Sequence, residues 1–177
     1  MTAPQHRSRR YLTEREIERL MDCARKRSRH GHRDATMILV AYRHGLRASE
    51  VCDLQWHQIE LSEGCLHVRR VKNGTPSAHP IRGDEMRALR KLRRENLADA
   101  YVFVSERGGP ISPIGLGEAA KMPSRIHPHM LRHACGYKLA NDGHDTRALQ
   151  HYLGHKNIQH TVRYTELAVD RFKNFWR

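Results

Sequence analysis

Apolar residues recur along the chain at two different periods, and the change of period separates helices from a small sheet. In "LTEREIERLMDCARK", Ile17, Leu20, Met21 and Ala24 fall on one helical stripe, and Thr13 with Glu16 three positions later forms a capping box, which predicts a helix over 13–27. "HRDATMILVAYRHGLRASEVCDLQW" predicts an apolar helix that stops at Gly45, followed by a second short helix through Leu54, so Arg47 stands at a helix junction. The period then shortens. "CLHVRRVKNGTPSAHPI" is rich in β-branched residues around Asn73-Gly74, which predicts a β-hairpin with Lys72 beside its tip and a further strand near Ile59 to Leu61. "RGDEMRALRKLRREN" returns to a basic helix, and "YVFVSERGGPISP" reads as a short extended run closed by Gly and Pro. Three more helices are predicted at 129–141, 145–153 and 158–174, the last interrupted near Tyr164. The segment "PISPIGLGEAAKMPSRIHPH" lacks a helical pattern around Gly115, Gly117 and Pro123. The fold class expected is mainly α with a small antiparallel β-sheet. Residues 1–10 form a polar, basic arm expected to be disordered and to touch nucleic acid, and 11–177 form one domain.

Charge narrows the partner. The 32 Lys and Arg residues outnumber 19 Asp and Glu, giving a net charge of +13. Such a balance favours a polyanion, because phosphates neutralised by Lys and Arg release condensed counterions. Nucleic acid leads and an anionic membrane surface comes second. No window approaches a membrane span, and "MTAPQHRSRRYLTERE" has no signal-peptide apolar segment, so a soluble, cytosolic protein is expected. Cys23, Cys52, Cys65 and Cys135 make no CxxC pair and read as reduced thiols.

The stretch "HPHMLRHACG" concentrates the chemistry. On a helix His129, Arg132 and His133 share one face, where they could bind a metal, hold a phosphate or face solvent. A zinc site is disfavoured, since the glutamate of HExxH is missing and no third ligand is obvious. Taken singly, Arg47, Lys72, His129, Arg132, His155 and Tyr164 read as solvated basic residues or a packing aromatic. Taken together they are the parts needed to break a phosphodiester without a metal or other cofactor. Two arginines can clamp the non-bridging oxygens. A tyrosine can attack phosphorus with help from a histidine, and a hairpin lysine can protonate the departing oxygen.

With "HGLRASEVCDL", "HPHMLRHACG" and "LGHKNIQHTVRYTE" in this order and a lysine hairpin between the first two, the chain resembles the tyrosine recombinase (phage integrase) family from about Leu12 to Trp176, most closely its small fimbrial phase-variation members. The resemblance implies a tyrosine recombinase catalytic domain in which Arg47 is the first catalytic arginine, Lys72 the hairpin lysine, His129 and Arg132 the HxxR pair, His155 the histidine of the LGH box and Tyr164 the nucleophile. It implies site-specific recombination of double-stranded DNA through a 3′-phosphotyrosyl intermediate, by a homotetramer on paired sites, with room for accessory DNA-bending proteins. Glu50 is expected to support Arg47, and His133 to pack or to steady another site residue. Two departures from the family are expected: no separate core-binding domain precedes Thr13, and a helix is lost between 110 and 127. A non-catalytic DNA-binding regulator and a type IB topoisomerase-like nicking and rejoining enzyme are the competing readings.

Overall fold

A computed structural model describes residues 11–113, 116–119, 122–123, 125–168, 172–173 and 175–176. The expected basic arm lies outside the described residues. The first helix, α1 (Glu14–Arg27), begins at Thr13, whose backbone N–H donates to Glu16 Oε2 at 2.7 Å while Glu16 N–H donates to Thr13 Oγ1 at 3.3 Å. Its buried stripe of Ile17, Leu20 and Ala24 packs on α2 (Gly31–Arg43). Residues Asp34 to Ala41 of α2 are all buried, because this helix also packs against α4 (Gly83–Glu95) and α6 (Pro128–Asn141). A helix enclosed on several sides loses the single apolar stripe of a surface helix and reads as a continuous apolar run.

Gly45 ends α2 with a φ of 57°, and the Leu46 N–H reaches back to the Ala41 carbonyl at 3.0 Å. The short α3 (Ala48–Cys52) follows directly, ending two residues before the expected Leu54. After a 3-10 turn at Trp56–Gln58 come β1 (Ile59–Glu60), β2 (Cys65–Val68) and β3 (Ser77–Pro80), an antiparallel sheet in the order β1-β2-β3. Leu66 and Val68 face the core while His67 is exposed, the alternation of a half-buried strand. The hairpin forms where Asn73-Gly74 signals it, with the turn centred one residue earlier. Pairing stops at Val68↔Ser77, and the turn at the tip is closed by Gly74 N–H on the Val71 carbonyl at 3.2 Å. Its central residues are therefore Lys72 and Asn73, with φ of 53° and 60°. Two positive φ values are what a primed hairpin turn requires, and the Asn that tolerates them stands second in the turn.

Beyond α4 the 101–113 run makes only isolated bridges, Gln55↔Tyr101 and Val104↔Pro110, so it ties down the segment before β1 without forming a strand. The 110–127 segment does hold one helical turn, α5 (Leu116–Ala119), anchored by buried Leu116. The last helices are α7 (Thr146–Leu153) and α8 (Gln159–Glu166). The helix expected over 158–174 is interrupted near Tyr164 as anticipated: Tyr164 lies in the last turn of α8, which ends at Glu166, and part of the remaining stretch to 174 lies outside the described residues. Two buried clusters result. The larger joins α1, α2, the sheet and α4, and the smaller gathers Cys135, Ala140, Leu149, Leu153, Tyr164 and Ala168 from the C-terminal helices. Among the described residues no helix is long and apolar enough to cross a membrane.

Candidate active site

A cleft of about 280 Å³ opens between the hairpin tip, α6 and the α7–α8 corner, and its walls include all six residues singled out from the sequence: Arg47, Lys72, His129, Arg132, His155 and Tyr164. Each arrives by a local device. Arg47 is the N-terminal flanking residue of α3, and its backbone N–H donates to Glu50 Oε2 at 2.9 Å. Lys72 sits exposed at the centre of the hairpin turn. His129 and Arg132 are one turn apart on α6, which opens with Pro128 in the first turn, where its missing N–H is harmless. Asp145 caps α7, accepting from Arg147 N–H at 2.9 Å and Ala148 N–H at 3.0 Å, and Gly154 ends that helix in the left-handed region, turning the chain into His155.

The arginines are held by carbonyl and carboxylate oxygens. Arg132 is 1% exposed. Its guanidinium donates to the Gly45 carbonyl and, at 2.8 Å, to the Leu153 carbonyl, spending two of about five donors and leaving the rest for a phosphate. Burial, then the charges of Arg47 and Arg70, bring its pKa down to about 10, so it stays cationic at neutral pH. Arg47 donates from Nη1 to Glu50 Oε1 at 2.8 Å. Glu50 also accepts from Arg70 Nη1 at 2.9 Å and from Val71 N–H at 3.1 Å. Burial pushes the Glu50 carboxyl up, but the Arg47 backbone N–H, the Arg70 charge and the remaining bonds outweigh it and leave the pKa below its ordinary value. An ionised Glu50 is therefore the hub that fixes Arg47 and ties the hairpin to the α3 junction.

Tyr164 is 2% exposed, with its ring against Gly136 of α6 and edge-on to Tyr137 at 4.9 Å between centroids. Its hydroxyl lies 2.8 Å from His133 Nδ1. Burial raises the phenol to about 12 against the opposing pull of Arg132 and Arg163. His155 makes a bond from Nδ1 to Thr161 Oγ1 at 2.8 Å, which leaves Nε2 as the nitrogen for a ligand in the cleft. Burial first, then Arg132, His160 and Arg47, lower its pKa to about 3, so it is neutral at pH 7. His129 is likewise shifted down, by partial burial and by the charges of Arg132, Arg47, Arg163 and Lys72. A site that depresses histidine pKa values this way concentrates positive potential where a phosphate would sit.

Two participants were not singled out as site residues from the sequence. Arg70, with a 0% exposed side chain, binds Glu50 and the carbonyls of His44, Gly45 and Tyr152. A signal for it exists: Leu66, Val68 and Arg70 alternate, so the period of β2 carried two residues further aims Arg70 inward and Arg69 outward. His133, read as a packing or supporting histidine, bonds Tyr164 directly, a supporting contact on another site residue. Helical spacing puts it beside His129, but only the fold of α8 back onto α6 brings the phenol to it.

A mainly helical domain that carries a three-stranded antiparallel sheet and opens its cleft between the sheet's hairpin and the last helices is the catalytic domain of a tyrosine recombinase. The chain belongs to the phage integrase family, whose model matches residues 10–171. Among its relatives, the type 1 fimbriae regulatory protein FimE of Escherichia coli K12 is 43% identical over 182 residues, covering 95% of this chain and 91% of FimE. Tyrosine recombinase XerC of Bacillus licheniformis is 33% identical over 178 residues, covering 92% of this chain and 59% of XerC. The crystal structure of XerA recombinase superposes with a TM-score of 0.75 at 26% identity, covering 93% of this chain and 63% of XerA. The Tn1549 transposon integrase in complex with transposon right end DNA superposes with a TM-score of 0.76 at 18% identity, covering 98% of this chain and 67% of that one.

Proposed function

We propose that this recombinase cleaves and rejoins duplex DNA at a specific site through a 3′-phosphotyrosyl intermediate, with the cleft residues in the following roles. Arg47 and Arg132 clamp the non-bridging oxygens of the scissile phosphate and stabilise the charge of the pentavalent state. His155 donates to the same group from Nε2, and His129 lines the phosphate seat. The Tyr164 oxygen attacks phosphorus and its proton passes to His133 Nδ1, the acceptor 2.8 Å away. The bond from phosphorus to the 5′ oxygen breaks, and Lys72 Nζ gives that oxygen a proton. A 5′ hydroxyl from a second duplex then attacks the phosphotyrosine, and the phenol recovers its proton, so no outside energy source is needed. The partner is double-stranded DNA, and strand exchange assembles a homotetramer on paired sites.

The carrying observation is the convergence of six side chains from four separated chain segments on one basic cleft, arranged around a tyrosine. A binding-only regulator has no use for a nucleophile held against a histidine, and family membership supports recombination over nicking alone. The test uses a nicked duplex, selected from a randomised pool, whose short 5′ fragment diffuses away after cleavage. Wild-type protein is expected to accumulate as a denaturation-resistant adduct, and Tyr164→Phe to bind the same duplex with no adduct. Excess EDTA is expected to leave the wild-type yield unchanged, since the arginines supply the charge stabilisation. Adduct from the phenylalanine variant, or its loss on chelation, overturns the mechanism.

A further inference from the structure

Behind the cleft, buried polar side chains that the reaction does not use are joined end to end. His44, His79 and Glu85 are 1%, 1% and 2% exposed. His44 Nε2 lies 2.8 Å from Glu85 Oε1, His44 Nδ1 lies 3.0 Å from His79 Nδ1, and His79 Nε2 lies 2.8 Å from Ser77 Oγ. Each of these contacts pairs one donor with one acceptor, so the four side chains are satisfied together. Burial first, with His44 and Arg70 adding to it, lowers the His79 pKa to about 3, in keeping with a neutral ring in this chain. The His79 ring also stacks on Tyr152 at 3.7 Å and 12°, and the Tyr152 hydroxyl donates to the Arg43 carbonyl at 2.7 Å.

Each segment clamped in this way leads into the cleft. His44 precedes Arg47 by three residues, Tyr152 precedes His155 by three, and Ser77 and His79 stand on β3, directly after the 69–76 loop that carries Lys72. The far side of that loop is fixed by Arg70 and Val71 on Glu50, but Lys72 itself is exposed. Buried ionic and polar groups contribute little net stability compared with apolar residues of the same volume, so their use here calls for another explanation. A continuous chain of buried hydrogen bonds offers one: it is satisfied only when β3, α2 and α4 hold these side chains in register.

We propose that the Ser77–His79–His44–Glu85 chain is a positioning device that seats the β2–β3 hairpin so that Lys72 meets the leaving 5′ oxygen. This rests on the reading of Lys72 as the general acid given above.

The experiment compares single-turnover cleavage of the selected nicked duplex with cleavage of the same duplex carrying sulfur in place of the 5′ bridging oxygen, a leaving group that needs little acid. In the full chain, Lys72→Ala is expected to be slow on oxygen and restored on sulfur. If it is equally slow on both, the general-acid reading falls, and the role of the chain with it. His79→Phe keeps a ring on Tyr152 but removes both nitrogens. Its cleavage of the oxygen substrate is expected to fall about 10- to 10²-fold, the range a misplaced catalytic group produces, with duplex affinity unchanged. On sulfur it is expected within about twofold of wild type, because the acid is no longer needed. His79→Asn places an amide, which can either donate or accept, near the Nδ1 position and is expected to restore oxygen cleavage to within about threefold. With Lys72→Ala restored on sulfur, equal slowing of His79→Phe on both substrates, no slowing at all, or an Asn variant as slow as the Phe variant overturns the inference. Should His79→Phe fail to fold by circular dichroism, Ser77→Ala decides, since it removes only the outer hydroxyl. A defect of about threefold that sulfur abolishes supports the chain, and a defect that sulfur leaves in place, or none, overturns it.

Discussion

At the scale of single residues, the cleft depends on contacts that leave no room for adjustment. Gly136 stands in the middle of α6, where glycine disfavours a helix by about 1 kcal/mol relative to alanine. It is there because a Cβ at this position would meet the Tyr164 ring at 2.7–2.8 Å. Gly136→Ala is expected to abolish adduct formation by displacing the phenol from His133, and to gain none of the usual helix stability, which adduct yield and a thermal melt would check together. Arg47 is held on Glu50 and, in the proposed mechanism, must also reach the phosphate. Arg47→Lys keeps the charge but cannot fork to both, and is expected to slow cleavage by about 10²-fold or more without preventing binding. Five of the six site residues were legible in three sequence motifs, and Lys72 in the hairpin between the first two. Burial of Tyr164 and its bond to His133 were not, because they depend on where α8 lands.

At the scale of elements, short turns do the aiming. Gly154 ends α7 with a φ of 69°, and a Cβ there would lie 2.6 Å from Arg70 Cγ. The conformation alone costs a non-glycine residue about 1–2 kcal/mol, and the clash adds to it. Gly154→Ala is therefore expected to lower the melting temperature and, by lifting Arg70 off Glu50, to slow cleavage. An unchanged rate in the alanine variant would dissociate Arg70 from the site. Capping and periodicity made most elements readable in advance: the Thr13 box, the Gly45 stop and the alternation of β2 all stand in the structure. One reading shifted where local signals competed. Asn73-Gly74 is a strong turn dipeptide, yet the turn centres on Lys72 and Asn73 because Arg70 and Val71 are pinned to Glu50 and set the phase of the loop. The break expected near Tyr164 falls just after Glu166, because Thr161 and Tyr164, one turn apart, are both buried in the same helical face and keep the helix intact up to that point.

At the scale of the whole molecule, charge and burial set the response to solution conditions. With about six to ten phosphate contacts, DNA affinity is expected to fall about 10³- to 10⁵-fold between ~50 and ~200 mM salt, and a nearly flat titration would count against duplex DNA as partner. Acid should unfold the protein early. His79 and His155 take up protons near 6.5 when unfolded but only near 3 when folded. Between those values the unfolded chain binds more protons, so stability is complete above about 6.5 and is lost as pH falls toward 3. Glu50 works in the same direction lower down, since its depressed carboxyl favours the folded state above the ordinary carboxylate value and loses that effect as pH falls through its folded one. A urea midpoint at pH 5 well below that at pH 7 is expected, and equal midpoints would contradict burial of neutral imidazoles.

By itself the sequence determined the helix phases, the hairpin, the basic character and the six residues that line the cleft, because each is written in local spacing or in composition. Tertiary structure decided which basic residues face inward. Arg70 and Arg132 end buried on carbonyl and carboxylate oxygens while Arg69 and Arg163 stay exposed, and no local pattern distinguishes a buried guanidinium from a solvated one. It also decided that His44, His79 and Glu85, spread over 42 positions of sequence, meet in one hydrogen-bonded chain. The physical reason is the same in both cases. A polar group is tolerated in the interior only when distant segments bring its partners to it, and those partners are named by the packing of helices and sheet rather than by neighbours along the chain.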